Sequence, residues 1–433
     1  MRSARLLLLS GARSLSTTVP PSAQTARMPK MPTTSQRVAL TDTPCIVQMQ
    51  QMLRACKRDV LSLAQGIVHW PPPDSALQAA QESLLSPQTS MYAADDGLPE
   101  LRQMLREKLT SQNGLCSSEV MVTAGANQAY INVVLALLDA GDAAVLFRPY
   151  YFNHLMALQM TGSAKQLWLP PSLPDLQPDL QALRIEFERR AKAGPTGQIK
   201  LVTLVNPGNP TGVMVPKQTL QEASDLCAEH GSWLVVDNTY EHFAYRDCPP
   251  HECIEGEHVI NLFSFSKAFG MMGWRVGYIA HHERLSAPLL KIQDTVIICP
   301  SVASQRVAIG ALAAGRGWVD ANVDSLAQQK QLVLDALAPL GEGLVHGGSG
   351  AIYLFCKLPG DLDDLEAVRW LTNTHGVCLI PGSSCGMPGH VRVCYANLPL
   401  QATREAASRL HAGLSQIASA VRAGEPPPWA SGA

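Results

Sequence analysis

Between two atypical ends, the chain alternates short apolar runs with longer amphipathic ones. Residues 119–123 form an apolar run of strand length, and a helical stretch follows at 127–138. Further strand-like runs recur at 143–147, 200–205, 233–236, 259–265 and 275–280. An amphipathic helix is predicted at 217–230, closed by Gly231. Short, uniformly apolar strands are buried on both faces, so helices must cover both sides. The series therefore predicts an α/β domain over 75–315 with a largely parallel sheet.

After about Gly315 the pattern changes. A long helical stretch (319–340), a strand (351–357), a helix (365–375), a strand (390–395) and a terminal helix (401–423) predict a smaller α+β domain over 316–423. Residues 39–74 are expected to pack against it. Residues 424–433, with three consecutive prolines, read as a disordered tail.

Length and charge narrow the classes. A chain of 433 residues suggests about two domains. With 46% hydrophobic and 16% charged residues it has the composition of a soluble globular protein. A net charge of −2 gives no electrostatic case for nucleic acid or an anionic membrane surface. No run reaches the roughly 18 apolar residues of a spanning helix. The eleven cysteines show neither CxxC pairs nor zinc spacing and read as reduced thiols. The N-terminus differs: Arg2, Arg5, Arg13, Arg27, Lys30 and Arg37 precede the first acid, Asp42, amid frequent Ser and Thr. That predicts an organellar transit peptide over 1–38, processed near 13–17, with mitochondrion ahead of plastid. A disordered tail, with cytoplasmic starts at Met28 or Met31, is the alternative.

The densest chemistry lies at Phe263-Ser264-Phe265-Ser266-Lys267, followed by Gly273, Arg275 and Gly277-Tyr278. A lone lysine after a strand is ordinarily solvated. Here two hydroxyls precede it and a guanidinium follows, and both are phosphate ligands. An amine beside a phosphate site is what an aldehyde cofactor needs to form an imine. Asn206-Pro207-Gly208-Asn209-Pro210-Thr211-Gly212 forces a tight, rigid loop. Asp237 ends an apolar run, with Tyr240 three residues on. Carboxyl ends of parallel strands carry ligand groups, although a turn or cap aspartate fits equally well. The small residues of Thr123-Ala124-Gly125-Ala126-Asn127-Gln128 let helix N-terminal N–H groups approach an anion. Pro149-Tyr150-Tyr151-Phe152-Asn153-His154 places aromatics after a strand, where core packing is the ordinary reading. Arg392 interrupts an apolar strand and must be paired, by an internal acid or by a carboxylate ligand.

Together these motifs resemble the class I/II aminotransferases, the fold-type-I family dependent on pyridoxal 5'-phosphate (PLP), over about residues 40–420. The wording of 62–70, 121–129, 149–153 and 263–279 is closest to the plant-type aromatic and methionine aminotransferases. The resemblance implies a mostly parallel seven-stranded sheet with a smaller α+β domain. It implies that Lys267 carries the cofactor as a Schiff base, that Asp237 pairs with the ring nitrogen, and that Asn209 and Tyr240 bond the phenolic oxygen. Gly125, Ala126, Asn127, Ser264, Ser266 and Arg275 would hold the phosphate, Tyr151 would stack on the ring, and His154 would stand near the aspartate. Arg392 would grip the substrate α-carboxylate, with Gly66, Trp70 and Asn209 also contacting the substrate and a cis Asn209–Pro210 bond. Tyr92 would reach the phosphate of a neighbouring subunit, making the active unit a homodimer with its site at the interface.

The implied reaction is ping-pong transamination, with Lys267 as the base. Animal-type aspartate aminotransferases carry a second arginine downstream of the lysine for the side-chain carboxylate, whereas residues 292–305 here hold no Lys or Arg. An unpaired substrate carboxylate is expensive to desolvate. Trp, Tyr, Phe and Met are therefore the expected donors, with indole-3-pyruvate or 2-oxoglutarate as acceptor. The alternatives are a C–S β-lyase or kynurenine-type aminotransferase, an aspartate-type aminotransferase, and a non-catalytic regulator, against which the retained Lys267, Asp237, Arg275 and Arg392 argue.

Overall fold

The structure, a computed structural model, describes residues 31–162, 166–194, 197–246 and 248–430. Most of the basic N-terminal segment lies outside the described residues. Of the tail, 424–430 is described, and Trp429 packs on Trp370, 6.1 Å between ring centroids.

Seven strands form the central sheet: β1 Glu119–Thr123, β2 Ala143–Leu146, β3 Leu167–Trp168, β4 Ile199–Val205, β5 Trp233–Asp237, β6 Val259–Ser264 and β7 Gly277–His281. Their spatial order is β1-β7-β6-β5-β4-β2-β3. Neighbours from β6 through β3 run parallel, and β7 runs antiparallel to both β6 and β1. Period two sorts the strand side chains onto two faces. Ala144, Leu146 and Val235 meet Ala129, Val133, Leu155 and Leu289 on one side. Ala143, Val145, Leu234 and Val236 meet Leu183, Phe187, Leu220 and Leu226 on the other. Each fully buried valine, leucine or phenylalanine here contributes about 1.5–3 kcal/mol, which explains why the strands read as unbroken apolar runs.

Six strands point the same way, so their carboxyl ends share one edge of the sheet. Because β7 is antiparallel, its beginning lies at that same edge, where Gly277 pairs with both Thr123 and Ser264. The residues that follow β1, β2, β4, β5 and β6, and those that precede β7, therefore converge.

The smaller layer holds an antiparallel four-stranded sheet in the order Ile380–Pro381, His390–Cys394, Tyr353–Lys357, Val345–Gly347. Leu61–Ser62 pairs with Val377–Cys378, which ties the N-terminal segment to this layer. The predicted long helix over 319–340 is two helices, Gly315–Ser325 and Ala327–Leu337, followed by a short 3-10 turn. Ser325 Oγ donates to Asn322 O at 2.6 Å at the break, a local bond that competes with the helix ladder. The short edge strand β3 has no signature in the sequence pattern.

Candidate active site

One cavity of about 260 Å³ opens at the convergent edge, between the sheet and the smaller layer. It is lined by Gly66, Ala126, Asn127, Tyr151, Asn209, Asp237, Tyr240, Ser264, Ser266, Lys267, Arg275 and Arg392. Motifs scattered over more than 300 residues of sequence are thus gathered in one place.

Lys267 lies just beyond β6, and its Nζ donates to Gly66 O at 2.5 Å. Burial, reinforced by the positive charges of Arg275 and Arg392, lowers its ammonium pKa to about 8. At pH 7 roughly a tenth of it is then the neutral amine. No carboxylate pairs with it among the described residues.

Asp237, the last residue of β5, is buried. Its Oδ2 stands 3.1 Å from His154 Nε2, and its Oδ1 accepts from Thr239 N (3.0 Å) and Oγ1 (2.7 Å). Burial alone would raise this carboxyl's pKa, but the bonds from His154 and Thr239 outweigh it, and the pKa lies below the ordinary value. The site therefore keeps a fixed negative charge. His154 is clamped between Tyr130 (4.1 Å between centroids) and the edge of Tyr151 (5.1 Å).

Arg275 precedes β7 in the left-handed region at φ 55°. Its Nη1 donates to Met272 O at 3.0 Å and reaches Ser266 Oγ at 3.5 Å, while Ser264 Oγ accepts from Ser266 N at 3.1 Å. Gly125 caps the helix Ala126–Leu137 at φ 86°, and a Cβ there would sit 2.4 Å from Arg275 Nη2. Only glycine lets the guanidinium lie against the helix N-terminus, so hydroxyls, amide donors and a cation face one spot.

Arg392 is 2% exposed. Nη1 donates to Asn209 Oδ1 and Nη2 to Ala64 O, each at 2.8 Å, and Nε has no partner. Among the described residues no acid neutralises it, so the internal-acid reading of this arginine finds no partner there. The Asn209–Pro210 bond is cis.

Two expected residues stand elsewhere. Trp70 does not line the cavity: its ring stacks on Phe243 (6.3 Å) and its Nε1 donates to Ala268 O at 3.4 Å. Through that bond it holds the backbone next to Lys267, and the backbone of Trp70 and Pro71 passes close to Gly270, where a Cβ would sit 2.6 Å from Trp70 O. Tyr92 is 81% exposed and does not line the cavity. Tyr240 is buried at the cavity with its hydroxyl 2.5 Å from that of Tyr353. Sequence reasoning missed Tyr353, which reads as a core aromatic of a strand, and it missed Thr239. The spacing of a hydroxyl two residues after Asp237, the signature of an Asx-type turn, pointed to the latter.

The model of the family described as aminotransferase class I and II matches residues 58–410. An aromatic aminotransferase of Arabidopsis thaliana is 48% identical over 387 residues, covering 88% of this chain and 96% of that protein. An aspartate/prephenate aminotransferase of Thermus thermophilus is 30% identical, covering 78% of this chain and 87% of that protein. Among solved structures, the aspartate aminotransferase of Thermus thermophilus with maleate superposes with a TM-score of 0.79 at 28% identity, over 88% of this chain and 100% of that one. The aromatic aminotransferase of Pyrococcus horikoshii gives 0.73 at 27%, over 84% and 98%.

Proposed function

This chain belongs to the class I and II aminotransferases, and we propose that it moves the amino group of aromatic amino acids and methionine to a 2-oxo acid, with PLP as cofactor. The observation that carries the reading is that three cations, Lys267, Arg275 and Arg392, line one cavity without a carboxylate partner among the described residues.

The residues fit this cofactor. Lys267 offers an amine to its aldehyde, the cup of Ser264, Ser266, Arg275 and the Gly125–Asn127 turn suits its phosphate, and Asp237 suits a protonated ring nitrogen. When bound, PLP supplies an electron-withdrawing ring that makes the Cα–H bond of an attached amino acid acidic. The side chains do the rest. Arg392 grips the substrate carboxylate and fixes the direction of the Cα–H bond. Lys267 Nζ, partly neutral at pH 7, takes the proton from Cα. His154 and Thr239 keep Asp237 ionised throughout.

The apolar lining of Ile46, Ile67, Phe152 and Met272 supports aromatic and thioether side chains. The Arabidopsis relative is itself named an aromatic aminotransferase. We also propose a homodimer. Leu84 (79% exposed), Leu85 (87%), Met91 (68%) and Tyr92 (81%) present an apolar face that a second copy would cover.

A donor screen against pyruvate, 2-oxoglutarate and indole-3-pyruvate tests the substrate. Aromatic donors and methionine should exceed aspartate in kcat/KM by about tenfold or more, the worth of one apolar pocket contact. Preference for aspartate would overturn the assignment. Ammonia released from a single amino acid without an acceptor would indicate a lyase instead.

A further inference from the structure

Tyr353 begins the strand Tyr353–Lys357 in the smaller layer, opposite Cys394 and two residues from the partner of Arg392. Its side chain is 1% exposed and still lines the cavity. Its hydroxyl lies 2.5 Å from that of Tyr240, and among the described residues neither oxygen has another hydrogen-bond partner. The Arg392 guanidinium carbon sits 4.3 Å over its ring. Gly66 makes the arrangement possible, because a Cβ at that position would fall 1.9 Å from Tyr353 Oη.

Two phenols sharing one hydrogen bond have two protons, and only one of them lies between the oxygens. The other is free to reach into the cavity. A cation on the ring face withdraws electron density from that phenol and makes it the better donor. Arg392 lies on the face of Tyr353, which meets Tyr240 edge-on at 76°. Either hydroxyl could donate across the 2.5 Å contact, and the cation on its ring favours Tyr353 as the donor, which would leave the proton of Tyr240 for an acceptor in the cavity. A hydroxyl that accepts one hydrogen bond also donates a stronger one.

We propose that Tyr353 is a positioning residue that donates to Tyr240 and so turns the Tyr240 hydroxyl outward as a strengthened donor to the phenolic oxygen of the cofactor. This rests on the PLP reading above. It adds a tyrosine of the smaller layer to the machinery of the larger one, and it gives Gly66 a reason to lack a side chain.

The experiment is a double-mutant cycle on the purified holoenzyme with Tyr353→Phe and Tyr240→Phe. The readout is the pH midpoint at which the visible absorption of the lysine-bound cofactor changes. Loss of a donor to the phenolic oxygen should raise that midpoint. Tyr353→Phe keeps the ring under Arg392, and it should raise the midpoint by about a few tenths of a pH unit, the size expected of hydrogen-bond cooperativity. Tyr240→Phe should raise it further, and Tyr353→Phe should add nothing in that background. No shift in Tyr353→Phe, with a shift in Tyr240→Phe, overturns the inference. So does an equal shift from Tyr353→Phe in both backgrounds. An unmoved midpoint in Tyr240→Phe would strike the underlying role of Tyr240, and absence of a visible band in the wild type would strike the cofactor reading itself.

Discussion

At the residue scale the site was legible wherever a chemical group stood in a sequence context that made it costly. Arg392 in an apolar strand and Asp237 at a strand end are such cases, and both are buried and pointed at the cavity. Lys267 is another. Its pKa of about 8 makes a checkable claim about the cofactor-free protein. Attachment of added PLP needs the neutral amine, so its rate should climb with pH and level off above about 8, as followed by stopped-flow absorbance. A rate still climbing toward the ordinary lysine range near 10 would show that burial leaves this amine unperturbed. Lys267→Ala should abolish turnover and covalent attachment with the fold intact by circular dichroism. Gly125→Ala tests the phosphate cup: the added methyl meets Arg275 Nη2 at 2.4 Å and strains a φ of 86°. Cofactor affinity, measured by fluorescence titration, should fall by about tenfold, as a cost of 1–3 kcal/mol for such a backbone implies. Tyr353 was not legible, because its role comes from a contact between two layers and not from its neighbours in the chain. Trp70 misled for the same reason: proximity to a motif does not say which way a ring points.

At the element scale, strand existence followed from apolar runs, and most boundaries fell within about two residues of the structure. The helices of the smaller layer were harder, since one helical periodicity over 319–340 conceals the break at Leu326. A tertiary feature invisible to periodicity joins the helix Pro99–Lys108 to the turn after β5. Lys108 Nζ donates to both oxygens of Glu241 at 2.8 Å, and Asn113 Nδ2 donates to Oε2 at 2.7 Å. Both charged residues are buried, and Glu241 adjoins Tyr240. Burial alone would raise the Glu241 carboxyl's pKa, but Lys108, with His242 and His251, brings it down to about 2. A carboxylate depressed in the folded state contributes stability that is present above its unfolded value, near 4.5, and is lost as pH falls toward 2. Lys108→Met should cost about 3–5 kcal/mol at neutral pH by stranding Glu241, whereas replacing both partners with apolar residues should recover much of that. Urea melts at pH 7 and at pH 3 would show the single variant's deficit shrinking in acid. A deficit of the same size at both pH values would rule out a charge-based tie.

At the scale of the whole molecule, the polarity of one strand organises the chemistry. Because β7 alone runs backwards, Arg275 enters the site from the start of its strand, while Asp237 stands at the end of its strand and Lys267, Asn209, Tyr151 and Asn127 follow the ends of theirs. Alternating apolar runs announce such a sheet but not its strand order, so convergence could be inferred only through resemblance. One expected residue, Tyr92, remains outside this convergence and on the exposed apolar face. If the proposed dimer places it in the partner's phosphate cup, then each site needs Lys267 from one chain and Tyr92 from the other. Two inactive or weakened chains should then complement. A mixed population of Lys267→Ala and Tyr92→Ala protomers contains heterodimers with one doubly defective site and one wholly intact site. Reassociation after mild dissociation should therefore yield turnover well above the average of the two parents, approaching about a quarter of the wild-type value if pairing is random and the parents are inactive. Activity no higher than that average would place Tyr92 in its own chain's site or in none, and a monomer by analytical ultracentrifugation would leave its exposed ring without the role assigned to it.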